Sequence, residues 1–115
     1  MLIFKVLKND EYTKLRDNKL SKGSNADLRD GYIHFSTKKQ LNETLKLHFQ
    51  GEKSLILMAI NTQILGDGLV WEMARNKKLF PHFYGRLEFN KALWFAPLEL
   101  QGDKYVWPSG FENEV

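Results

Sequence analysis

The chain has 115 residues, 43% hydrophobic and 13% aromatic, which predicts a single globular domain over 1–115 with material for a real core. It has no cysteine, so a disulfide framework, thiol catalysis and thiolate metal sites are excluded, and a reducing, cytoplasmic setting is expected. The net charge of +3 comes from 17 Lys and Arg dispersed among 14 acidic residues, with no basic run beyond doublets such as Lys38-Lys39 and Lys77-Lys78. Such a field attracts small anions weakly and argues against a nucleic-acid partner. No apolar run approaches the roughly 20 residues of a membrane helix, so no membrane partner is expected, and oligomeric state is not readable.

In chain order, Leu2 to Leu7 reads as an opening strand, and Asn9 or Asp10 caps a short helix through Tyr12, Leu15 and Arg16. Asn18 to Asp30 is polar, contains Gly23-Ser24-Asn25 and lacks periodicity, which predicts a surface loop. Within it, Asp27 and Ser24 are suited to hold the loop in place, and Asp30 before Gly31 is suited to a turn. The stretch Tyr32 to Ser36 reads as a strand whose alternation puts Ile33 and Phe35 on one face and Tyr32, His34 and Ser36 on the other. Thr37 and Gln40 have capping-box spacing, and Leu41, Thr44, Leu45 and His48 recur on one helical face, with His48 at the core edge and a stop near Gly51. Ser54 to Ile60 is apolar on both faces, as in a central strand, which puts Leu55, Ile56, Leu57 and Met58 in the core with Ile33 and Phe35.

Asn61 to Gly68 reads as a turn with one helical turn inside it. Leu69 to Met73 resumes a strand, in which Glu72 needs a partner from Arg75 or a histidine, or exposure to water. Phe80-Pro81-His82-Phe83-Tyr84-Gly85 reads as a loop stiffened by Pro81, a wall for a planar ligand or a plug for the core. Ala92 to Ala96 and Lys104 to Trp107 are late strands, joined through Gln101-Gly102-Asp103, and Gly110 to Val115 is expected to be loose. The sum is an α+β domain with a curved, largely antiparallel sheet of about six or seven strands and about two helices.

Gly23-Ser24, Asp27, Asp30 to Thr37, Trp71-Glu72 and Phe80 to Gly85 together resemble the signature of an uncharacterised bacterial family, the domain of unknown function 952, over essentially the whole chain. Tyr32 stands where that family favours Phe, and Phe83 where Leu is common, neither of them a change at a chemical group. Members are similar to the ADP-ribosyltransferase-like fold, whose enzymes hold the ribose of a nicotinamide dinucleotide with a strand-borne histidine. The resemblance implies an ADP-ribosyltransferase-like α+β architecture. It also makes NAD the one cofactor candidate, the true cofactor being unidentified.

On their own chemistry, His34, Ser36, Tyr32, His82 and Tyr84 are ligand-binding candidates for a small, nucleotide-like anion carrying ribose or phosphate. His34 and Glu72 are the catalytic candidates, because a transferase needs an acid to orient its nucleophile, although a structural ion pair explains Glu72 as well. Neither a metal site from His34, His82 and a carboxylate nor a Ser-His-acid hydrolase has the required spacing. Whether the domain is an enzyme stays open, the alternative being a noncatalytic protein-interaction domain.

Overall fold

Lys5 is the one charge in the first strand between Leu2 and Leu7, and all six of those residues are buried in the computed structural model. The structure describes residues 1–111 apart from the Arg75 side chain. In chain order the elements are β1 (Leu2–Lys8), α1 (Asn9–Asn18), β2 (Leu20–Ser21), α2 (Asn25–Asp30), β3 (Ile33–His34), α3 (Leu41–His48), β4 (Ser54–Asn61), α4 (Thr62–Leu65), β5 (Leu69–Met73), β6 (Leu79–Phe83), β7 (Leu87–Glu88), β8 (Trp94–Gln101) and β9 (Lys104–Val106). All strand pairs among the described residues are antiparallel.

The main sheet runs β1-β4-β8-β9, with β4 in its interior as its two-sided apolar sequence requires. Leu2, Phe4, Val6, Leu55, Leu57 and Leu98 pack with Leu41 and Leu45 of α3 on one face. Ile3, Leu7, Met58 and Ile60 pack with Leu15 of α1 and with Ile33 and Phe35 on the other. Ile56, expected in the core, is only half-buried at the margin of this second cluster.

A three-stranded sheet, β3-β6-β5, carries His34 and His82, and Pro81 explains why β3 is so short. Tyr84 N–H donates to the Gly68 carbonyl, so even-numbered residues of β6 bond to β5 and odd-numbered ones face β3. Phe35 N–H donates to the Pro81 carbonyl, but Pro81 has no N–H to return, and regular pairing stops after His34. The chain then turns to β1 for one exchange, Phe4 N–H to Ser36 O and Ser36 N–H to Phe4 O, both 2.8 Å.

Several expectations change. Among the described residues there are four α-helices and nine strands, and the stretch expected to be a loop from Asn18 to Asp30 holds β2 and α2. The Ser24 hydroxyl accepts from Asp27 N–H while the Asp27 carboxylate accepts from Ser24 N–H, a reciprocal cap that starts a six-residue helix where apolar periodicity is absent. Gly23 precedes it at φ +104°, where a Cβ would collide with Asp27 and Ile33. Most of the expected aromatic loop is strand β6, because the missing N–H of Pro81 falls at the last bond of the β3 pairing, where only the Phe35 N–H to Pro81 carbonyl bond is made. Helix α3 ends at His48, short of Gly51, and β8 extends past Ala96 to Gln101. Of the tail expected to be loose, Phe111 is buried against Phe4 and stacks on Trp107, while 112–115 lie outside the described residues.

Candidate functional site

After the Phe4–Ser36 exchange an antiparallel ladder would continue with Val6 opposite His34. It does not. The His34 N–H donates instead to Asp27 Oδ1 at 3.0 Å, and the His34 carbonyl accepts from Lys5 Nζ at 3.0 Å. One ion pair, Lys5 Nζ to Asp27 Oδ2 at 2.9 Å with both side chains buried, thus takes the two backbone bonds that Val6 would have made. Between β1 and β3 a cleft of about 500 Å³ opens. Its walls include Val6, Asp27, Tyr32, His34, Ser36 and His82.

Asp27 is the hub. Its carboxylate accepts from Ser24 N–H, His34 N–H and Lys5 Nζ, and from His34 Nδ1 at 2.6 Å. Burial alone would push its pKa up, but the His34 hydrogen bond, the Lys5 charge and the two backbone donors outweigh this and hold the carboxyl well below the usual carboxylate range. The other His34 nitrogen, Nε2, lies 3.0 Å from Asp30 Oδ2, which places the imidazole between two carboxylates. Asp30 is held low chiefly by its hydrogen bond from Arg29.

His34 and His82 are directly opposed across β3 and β6, at a position where the backbones do not bond to each other and side chains lie close. His82 is buried, and its Nδ1 donates to Glu72 Oε1 at 2.9 Å. The same oxygen accepts from the Tyr84 hydroxyl at 2.8 Å. The Tyr32 ring stacks on His82 with centroids 4.0 Å apart and reaches His34 at 4.6 Å, forming a flat wall. Burial first, and then the charges of Asp30 and Glu72, raise the Tyr32 hydroxyl above its ordinary value. Ser36 is buried and shares a hydrogen bond with Thr44 of α3 at 2.8 Å.

The structure therefore brings Tyr32, His34, Ser36 and His82 to one cleft, while Glu72 and Tyr84 are not among its lining residues and stand behind His82. Glu72 finds its partner in a histidine, and the Arg75 side chain lies outside the described residues. Its carboxyl is lowered by the Tyr84 hydrogen bond first and the His82 bond second, while Tyr84 is raised by the same contact. Replacing Tyr84 by Phe is expected to return the Glu72 carboxyl toward its ordinary value. A carboxyl-carbon NMR titration measures this, and an unchanged midpoint would assign the effect elsewhere.

Sequence reasoning missed Lys5 and His48. A lysine inside an apolar strand is itself a signal, since a buried ammonium requires an acid. His48, expected at the core edge, is exposed and lines the cleft, so all three histidines of the chain border it. Asp30 supports His34 in addition to ending α2. Among the described residues no group of three or more His, Asp or Glu is arranged to hold a metal ion.

The profile of a family described as protein of unknown function (DUF952) matches residues 6–95, which includes Val6, Asp27, Tyr32, His34, Ser36, His48 and His82 of the cleft but not Lys5. The crystal structure of protein CC0527 from Caulobacter crescentus is similar, with 35% identity and a TM-score of 0.86 over 91% of this chain and 92% of that one. The solution NMR structure of CC0527 is similar at 34% identity and a TM-score of 0.81, over 98% and 96% of the two chains. None of the curated proteins matches the chain.

Proposed function

This chain belongs to the DUF952 family, a family of unknown function, and from the chemistry of its cleft we propose that it binds a small anionic ligand containing ribose or phosphate. The observation that carries this reading is the facing pair His34 and His82. Each is held through Nδ1 by a carboxylate, and both border a recess with Tyr32 as a flat wall. A carboxylate behind an imidazole fixes the ring's orientation, and a prearranged donor costs little to align when a ligand arrives; on His34 that donor, Nε2, is shared with Asp30 Oδ2 at the partly exposed edge of the site. Of the His82 nitrogens, Nε2 is the one left for a ligand, and Arg29 and Lys8 at the lining, paired with Asp30 and Glu52, bring positive charge to a phosphate. Nicotinamide dinucleotide is the first compound to test.

An ADP-ribosyltransferase-like architecture and activity is the catalytic extension of this reading. In it the bond between ribose C1′ and nicotinamide N1 breaks and the ribosyl carbon passes to a nucleophile that loses its proton. Glu72 would act there through His82, as a positioning group, since its carboxylate is engaged by His82 and Tyr84. Binding has the more direct support.

Calorimetric titration with NAD, its phosphate form, ADP-ribose and AMP tests the proposal. Saturable heat is expected with at least one of them, and heats equal to buffer at millimolar ligand would refute it. His34→Ala is expected to weaken binding, but it also removes a donor to buried Asp27 and lowers stability. Tyr32→Leu leaves the Asp27 contacts intact, and is expected to weaken binding with little change in melting. A second reading, the protein-interaction domain, rests on Trp71, Met73 and Leu79, which are exposed along the β5–β6 edge. It gains if every titration is silent and light scattering shows association.

A further inference from the structure

We propose that the main chain of Val6 reads the ligand, its N–H and C=O pairing with the acceptor and donor of a planar group such as a nucleobase edge or a primary carboxamide. This deepens the nucleotide reading above and rests on it. Thr62 N–H donates to the Met1 carbonyl, which fixes the odd-numbered residues of β1 as those bonded to β4. Even-numbered residues then direct their backbone groups to the opposite edge, in keeping with the Phe4 exchange with Ser36. Along that edge Phe4 is paired, and Lys8 N–H donates to Glu11 Oε1 at 2.8 Å. Val6 lies between them, and the groups of His34 that would have met it are taken by Asp27 and Lys5.

Val6 therefore presents one donor and one acceptor, side by side, to a cleft that it lines. Recessed backbone groups in native proteins are nearly always paired, with protein or with ordered water, so in the free cleft water serves this pair and a ligand that offers the matching acceptor and donor replaces it. An added strand would need the neighbouring positions Phe4 and Lys8, both already engaged, whereas one small planar group needs only Val6. Adenine offers N1 as acceptor and the N6 amino group as donor, and a carboxamide offers its oxygen and amide hydrogen.

Hydrogen exchange and NMR on the whole chain test this. In the free protein the Lys5 and Leu7 amides are expected to exchange slowly and the Val6 amide quickly. Adenosine and benzamide distinguish the two sources, each against a partner that lacks the donor, N6,N6-dimethyladenosine and benzoate. Whichever source is right should slow and shift the Val6 amide, and its partner should bind roughly tenfold more weakly. A Val6 amide protected without ligand, or a bound probe that leaves it unmoved, would overturn the inference. If all four probes are silent while ADP-ribose binds, the inference falls and the nucleotide reading stands; if ADP-ribose is silent too, both fall.

Discussion

Replacing Asp27 by Asn is expected to destabilise the domain by about 3–5 kcal/mol, because it leaves the buried Lys5 ammonium without a counter-charge. The amide also turns one acceptor into a donor, which must face either Lys5 Nζ or the donors from His34 and Ser24. Urea unfolding measures the loss, and a change under about 1 kcal/mol would remove Asp27 from the centre of the account. Adding Lys5→Met to the Asp27→Asn variant should recover part of it by removing the stranded charge. The pH dependence has a definite sign. Because the native Asp27 carboxyl is held below its unfolded value, its contribution is complete above about pH 4 and is lost as the pH falls through the native value. The Asp27→Asn variant should lack that acid-side loss.

Leu57→Ala is expected to cost about 2–5 kcal/mol, the range for emptying a leucine site in a packed core. Leu57 is fully buried on interior strand β4, opposite Val6 on one side and Ala96 on the other, and its cluster joins α3 to the main sheet. Strands on both sides limit how far the site can collapse, which favours the upper part of the range. Thermal and urea unfolding measure it, and unchanged melting would contradict the packing.

What was legible in the sequence is what repeats with a period. The two-sided apolar run of β4, the alternation from Tyr32 to Ser36 and the Thr37–Gln40 cap each carry their structure locally. The meeting of the two histidine motifs was legible too, since both mix imidazole with aromatics. Long-range complements were not. Lys5 and Asp27 are 22 positions apart, and nothing near either names the other. Helix α2 is too short for an apolar stripe, and only the Ser24–Asp27 cap marks its start. Pro81 in a strand contradicts local preference, and becomes acceptable only because the neighbouring strand turns away there. His48 shared a helical face with leucines, so periodicity assigned it to the core edge, but the cleft that it borders depends on β1 and β3 separating.

The cleft as a ligand site is tested most directly through its histidines, because His34, His48 and His82 are the only ones in the chain and all three line it. A histidine-ring proton spectrum therefore reports on the cleft without background from elsewhere. Titration with ADP-ribose should shift the rings of His34 and His82 together, saturating with one dissociation constant that matches calorimetry. Rings that stay unmoved at millimolar ADP-ribose and at millimolar NAD would contradict a nucleotide-binding cleft at the β1–β3 split.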